Sequence, residues 1–192
     1  MGQEYSDANK ELTLQKIQEL YRKFTSECPS GKMHLHEFKK IFGGHSGTTE
    51  EESAYMENVF HSFDTNKDGK IDFMEYVAAV NLVLRGKLED KLKWSFKVYD
   101  RDKNGCLDRD EIRQVITIIY KIKKHRNPDM TENTDYICER VFEVLDKNED
   151  SQISLEEFIE GAKKDPWVMD QLHLDFIPWF DTRASCSCLW FV

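Results

Sequence analysis

The chain has 192 residues and a mass of 22.7 kDa, with 36 acidic against 27 basic side chains and a formal net charge of -9. This surplus of acid argues against nucleic acid as a partner, and no apolar stretch reaches the length needed to span a bilayer. The five cysteines are odd in number and scattered, and no secretory signal peptide is recognisable, so a reduced cytosolic compartment is expected rather than a disulfide framework.

The chain opens Met1, Gly2, Gln3, Glu4, Tyr5, Ser6, a pattern that fits N-myristoylation of Gly2 after removal of Met1. A single myristoyl chain holds a membrane only marginally and reversibly, which suits a switch. Leu14, Ile17, Tyr21 and Phe24 then recur at helical spacing and predict a first amphipathic helix. Thr49 with Glu52 reads as a capping box that opens the next helix, whose Tyr55, Met56, Val59, Phe60 and Phe63 face inward. A helix over 73–84 follows, and Gly86 interrupts the pattern, placing a lobe boundary at 85–87. The lobes expected from this are 1–86 and 87–192.

Leu88, Leu92, Trp94, Phe96 and Tyr99 start the second lobe, and Ile112, Val115, Ile116 and Ile119 form its next apolar stripe. The polar stretch 121–134, which contains Pro128, predicts an exposed, mobile connector. Val141, Phe142 and Leu145 precede the last loop, and Leu155, Phe158 and Ile159 leave it. Asp165 and Pro166 read as N-cap and first residue of a final helix that runs through Trp167, Val168, Leu172 and Phe176 to Pro178. The end, Cys186 to Val192, is unusually apolar, and Cys188 stands one place too early for a prenylation box. Docking on the body, an unstructured end, membrane contact and palmitoylation of Cys186 and Cys188 all remain open for it.

Between these helices one loop pattern returns three times. Its most complete form places Asp64, Asn66 and Asp68 at positions 1, 3 and 5, Gly69 at 6, the Lys70 carbonyl at 7, Asp72 at 9 and Glu75 at 12. The second has Asp100, Asp102, Asn104, Gly105, the Cys106 carbonyl, Asp108 and Glu111. The third has Asp146, Asn148, Asp150, Ser151, the Gln152 carbonyl, Ser154 and Glu157. A hard cation such as Ca2+ takes about six to eight oxygens in a flexible geometry, and this ligand order with a turn at position 6 describes an EF-hand calcium loop. Ile71, Leu107 and Ile153 keep position 8 apolar, because loops of this kind pair there through a short strand.

EF-hands pack in pairs, so three loops imply a fourth. Upstream of Gly69 by roughly the repeat length lies Ser26 to Glu37, where Gly31, Met33 and Glu37 keep positions 6, 8 and 12. Ser26 and Cys28 replace the first ligands, and Pro29 fixes a dihedral and removes an N–H. This loop is expected to hold its shape without Ca2+. Cys28, His34 and His36 offer transition-metal donors in it, but surface residues of a loop are the simpler reading. The fold class expected is all-α: two lobes of paired EF-hands, with short paired strands between loops.

Gly2, the Cys28, Pro29, Ser30, Gly31 loop, the three complete loops and the run Ile71 to Ala79 resemble the neuronal calcium sensor family. Within it, Leu84 to Lys87, Lys91 to Trp94, Asn104 to Cys106 and Ser154 to Gly161 are similar to the guanylate cyclase-activating proteins of photoreceptors, over roughly residues 12 to 172. The resemblance implies a non-enzymatic, cytoplasmic and peripheral-membrane regulator of a membrane guanylate cyclase. It would be Mg2+-bound and stimulating at low Ca2+, Ca2+-bound and inhibiting at high Ca2+, with the acyl group held against the protein. Leu20 and Thr25 stand where such proteins commonly have Trp and Met, which leaves a purely inhibitory relative open. A sensor for another membrane-associated target and a plain calcium buffer are the alternatives, although a buffer needs neither lipid nor a disabled loop. No nucleophile has a recognisable local signature for an enzyme. Tyr21, Lys23 and Phe24, beside the disabled loop, are the candidates for target contact.

Two features of the last loop point the same way. Ser151 places a side chain where glycine is favoured, and Ser154 offers one carboxylate fewer than Asp72 or Asp108. This loop is therefore expected to bind Ca2+ most loosely of the three.

Overall fold

The computed structural model describes residues 14–42, 49–126, 129, 131 and 133–172. The first half holds α1 (Leu14–Glu27), β1 (Lys32–Met33), α2 (Leu35–Phe42), α3 (Glu50–Phe63), β2 (Ile71–Asp72) and α4 (Phe73–Arg85). The second holds α5 (Leu88–Tyr99), β3 (Cys106–Leu107), α6 (Arg109–Arg126), α7 (Thr134–Leu145), β4 (Ile153–Ser154), α8 (Leu155–Lys164) and α9 (Pro166–Gln171). Among the described residues the fold is all-α apart from two antiparallel strand pairs, β1 with β2 and β3 with β4, each joining two helix-loop-helix units. Among the described residues no helix is long and apolar enough to cross a membrane.

Helix starts follow the local chemistry. Thr49 Oγ1 accepts from the Glu52 N–H at 3.3 Å and Glu52 Oε2 accepts from the Thr49 N–H at 2.9 Å, the capping box read from the sequence. Asp165 accepts from the Trp167 N–H at 2.9 Å, with Pro166 at the first helical position. That helix stops at Gln171, and the expected continuation to Phe176 and Pro178 lies outside the described residues. Gly86 ends α4: its N–H donates to the Leu82 carbonyl at 2.9 Å, and a Cβ there would come within 2.3 Å of the same oxygen.

The core runs through both halves. Phe24 lies on Phe73 and Tyr76, with centroids 5.6 and 5.2 Å apart, joining α1 to α4. Phe158 meets Phe96 at 5.6 Å and Tyr99 at 6.2 Å, joining α8 to α5. Between the halves the Trp94 indole stacks on Phe63 at 5.1 Å and donates to Ser62 Oγ at 2.9 Å. Tyr55 and Tyr99 stack at 6.5 Å, and burial pushes both hydroxyls above the usual phenol range. Tyr99 Oη donates to the Leu172 carbonyl at 2.8 Å, which holds the end of α9 on the core.

One expectation needs correction. The polar stretch from Lys121 does not leave the helix: α6 continues to Arg126. Lys121 pairs with Glu51 at 2.6 Å, and Lys123 donates to both the carboxylate and the carbonyl of Asp170 at 3.1 Å. Lysine is a good helix former, and these ties extend the helix beyond the point where its apolar stripe fades.

Candidate metal centres

Helices α3, α5 and α7 end one residue before Asp64, Asp100 and Asp146, whose N–H groups donate to Phe60, Phe96 and Phe142 carbonyls at 3.1, 2.9 and 2.8 Å. Each aspartate then accepts from the backbone N–H groups at positions 5 and 6. The distances are 3.1 and 2.8 Å at Asp64, 3.1 and 3.0 Å at Asp100, and 3.2 and 3.0 Å at Asp146. Asn66, Asp102 and Asn148 accept from the position-5 N–H at 2.9, 3.0 and 3.0 Å. Asp68, Asn104 and Asp150 accept from the position-7 N–H of Lys70, Cys106 and Gln152 at 3.0, 2.7 and 2.9 Å. Successive N–H groups thus hold the side-chain oxygens of positions 1, 3 and 5 in the same order in each loop.

The position-12 glutamates close each loop. Glu75 Oε1 accepts from the Thr65 N–H at 2.8 Å and Oε2 from the Asp72 N–H at 3.0 Å. Glu111 does the same with Arg101 at 2.7 Å and Asp108 at 3.1 Å, and Glu157 with Lys147 at 3.3 Å and Ser154 at 2.9 Å. Carboxylate oxygens of Asp100, Asp102 and Glu111 lie within 4.8 Å of one another. Burial raises the Glu111 pKa above the usual carboxylate value, whereas the backbone N–H of Ser154 lowers that of Glu157. An all-oxygen set of this kind fits a hard cation, Ca2+ or Mg2+, and not a soft metal.

The backbone adds a feature with no compositional signature. Position 4 is left-handed in all three loops, with φ 59° at Lys67, 60° at Lys103 and 58° at Glu149. Position 6 is left-handed too: Gly69 at 77°, Gly105 at 84° and Ser151 at 66°. Ser151 carries its side chain in that region, where a residue other than glycine is strained by about 1 kcal/mol.

The first loop lacks this cradle. Helix α1 runs on through Ser26 and Glu27, so positions 1 and 2 are helical, and the Cys28 N–H donates to the Phe24 carbonyl at 2.8 Å. Cys28 is fully buried, and burial above all, with Glu37 and Glu27 nearby, pushes its thiol up to about 11. Pro29 occupies position 4, and its ring locks φ near about -65°, which forbids the left-handed path taken by Lys67, Lys103 and Glu149. Gly31 keeps its turn at φ 75°, and Glu37 Oε2 still accepts from the His34 N–H at 2.7 Å. His34 and His36 stack with centroids 5.8 Å apart, but they do not converge with Cys28 on a metal-sized space. The Lys32 ammonium of this loop reaches across to Asp68 Oδ2 at 2.7 Å and lowers that carboxyl's pKa.

The three residues proposed for target contact separate. Tyr21 is 53% exposed and meets the edge of Phe73 at 5.0 Å, and Lys23 is half-buried. Phe24 is 2% exposed, so it is a core residue and not a surface contact; helical spacing put it on the inward stripe with Leu20. Leu20 is itself buried, and Thr25 Oγ1 bonds back to the Tyr21 and Arg22 carbonyls at 2.9 and 3.0 Å. Gly2 and the tail from Cys186 to Val192 lie outside the described residues.

Comparison with known proteins agrees with this geometry. The family model "EF-hand domain pair" matches residues 89–163, and the model "EF hand" matches 56–80. Guanylyl cyclase-activating protein 2 of Gallus gallus is 47% identical over 199 aligned residues, covering 98% of this chain and 100% of the relative. The chain belongs to the guanylyl cyclase-activating protein family of EF-hand proteins. Guanylyl cyclase-activating protein 1 of Lithobates pipiens is 45% identical, covering 90% of this chain and 82% of the relative. The guanylyl cyclase inhibitory protein of Lithobates pipiens is 41% identical, covering 83% and 78%. Family membership makes this a calcium-binding EF-hand protein and accounts for the all-oxygen cradles.

The left-handed Ser151 and the missing carboxylate at Ser154 are both expected to weaken Ca2+ binding by the same loop. Ser151→Gly is expected to tighten Ca2+ there by roughly five- to tenfold, since about 1.4 kcal/mol is a factor of ten. Site-resolved titration in which this loop fills first, or in which the substitution leaves its affinity unchanged, contradicts the strain argument.

Proposed function

We propose that this protein is a Ca2+ sensor that regulates a membrane guanylyl cyclase, stimulating it when Ca2+ is low and inhibiting it when Ca2+ is high. The observation that carries the reading is the contrast between three loops with the same order of oxygen ligands and one whose first two positions are helical, in a chain whose relatives are named for their action on guanylyl cyclase. Loops starting at Asp64, Asp100 and Asp146 take the ion. Positions 1, 3, 5 and 12 supply side-chain oxygens, and Lys70, Cys106 and Gln152 supply carbonyls. The loop from Ser26 to Glu37 takes none. The two lobes divide at Gly86, into 1–86 and 87–192.

Mg2+ competes for these loops. It demands a tighter octahedral shell and keeps waters, so Glu75 and Glu111 engage it less than Ca2+. Each ion therefore favours a different arrangement of the paired helices, and the exposed apolar surface changes with it. Tyr21 and Lys23, on α1 beside the ligand-free loop, are the proposed contacts with the cyclase. An acyl group on Gly2 stays against the protein, and its insertion into the membrane surface is the alternative. The inhibitor-only reading has the 41% identity to the inhibitory protein in its support, against 47% and 45% to activating proteins, and activity decides it.

Calorimetry is expected to find three Ca2+ per chain, and two in Glu75→Gln. A fourth ion, or an unchanged stoichiometry in the variant, rejects the assignment of loops. In washed membranes that carry the cyclase, added protein is expected to raise cyclic GMP synthesis at low free Ca2+ and to lower it at high free Ca2+. Inhibition at high Ca2+ with no stimulation at low Ca2+ selects the inhibitor, and no effect at either level removes the cyclase from the account. Protein made in eukaryotic cells is expected to carry the mass of a myristoyl group at Gly2; an unmodified Gly2 ends the lipid proposal.

A further inference from the structure

We propose that Lys32 acts as a tethered competitor for the cation of the 64–75 loop, so that the ligand-free first loop sets the Ca2+ affinity of its neighbour. The inference rests on the occupancy of that loop proposed above.

The strand register brings the two loops together. Lys32 is the Cα partner of Asp72 and Met33 that of Ile71, so position 7 of the first loop stands opposite position 9 of the second. From there the Lys32 ammonium lies 2.7 Å from Asp68 Oδ2, while Asp68 Oδ1 accepts from the Lys70 N–H at 3.0 Å. Asp68 is the position-5 ligand. The same ammonium lies in the field of Asp72 and Glu75 as well, at positions 9 and 12.

A divalent ion attracted by Asp68 meets a positive charge already held on that carboxylate. It either shares the carboxylate with the ammonium against charge repulsion or displaces Lys32 into water and loses the ion pair. Both routes subtract from the ion's affinity. The pair is partly exposed, with side chains 45% and 35% accessible, so solvent screening limits the effect to about three- to tenfold. The other strand pair provides an internal comparison. It has the same register, Cys106 opposite Ser154, but its position-7 side chain is a thiol, and Asp150 Oδ2 accepts from Asn148 Nδ2 at 2.9 Å instead. The tethered charge therefore belongs to the first pair.

The test uses the full chain with Glu111→Gln and Glu157→Gln, which leaves the 64–75 loop to be read by calorimetric Ca2+ titration. Lys32→Met is expected to tighten Ca2+ by about three- to tenfold, less so at high salt, and Lys32→Arg to stay within about twofold of the parent. Lys40→Met, which removes an exposed charge on α2, controls for net charge and is expected to shift affinity by less than about twofold. Equal effects of Lys32→Met and Lys40→Met, or no effect of Lys32→Met, overturn the tethered-cation inference alone. A parent that binds no Ca2+ in this background overturns the occupancy of the loop and the inference with it.

Discussion

A strand pair of two residues on each side joins the loops within each half, and the rest of the molecule depends on it. Met33 stands opposite Ile71, and Leu107 opposite Ile153, with all four side chains at most 2% exposed. Burying an aliphatic side chain of this size contributes about 1.5–3 kcal/mol, so position 8 anchors two loops and the four helices that flank them at once. This explains why a loop without ligands is kept. Its Met33 completes the apolar contact, and its Gly31 and Glu37 preserve the turn and the closing hydrogen bond, so the partner loop stays in register.

The acidic character of the chain is managed locally. Carboxylates crowded at one point repel each other, and the loops answer with backbone N–H groups on almost every ligand oxygen. Glutamate at position 12 joins the two ends of its loop, accepting at one oxygen from position 2 and at the other from position 9. Any change in how that side chain meets an ion is passed directly to the exiting helix. In the second half Phe158 of α8 packs on Phe96 and Tyr99 of α5, and the Tyr99 bond to the Leu172 carbonyl joins α5 in turn to the end of α9.

Much of this was legible in the sequence because the loops impose a fixed order of ligand types and the helices a fixed period. The capping box at Thr49, the Asp165 and Pro166 start and the apolar residues of position 8 all stand where local rules place them. What escaped depends on backbone path or on distant partners. Lys67, Lys103 and Glu149 adopt left-handed dihedrals that their composition does not announce. The intrusion of α1 into the first loop follows from absent ligands and from a buried Cys28, and burial is a tertiary property. Phe24 lies on an inward-facing helical period that argues for the core, and nearness to the disabled loop does not expose it. The reach of Lys32 to Asp68 spans two loops and appears only once the strand register is known.

The manner in which the first loop lost its cradle also constrains how such a chain can evolve. Restoring an aspartate at Ser26 would place it in a helical turn, and restoring one at Cys28 would bury a charge at a fully enclosed position. Neither change supplies the left-handed residue that Pro29 forbids. Each step back is neutral or harmful until the others are in place, which is strong epistasis.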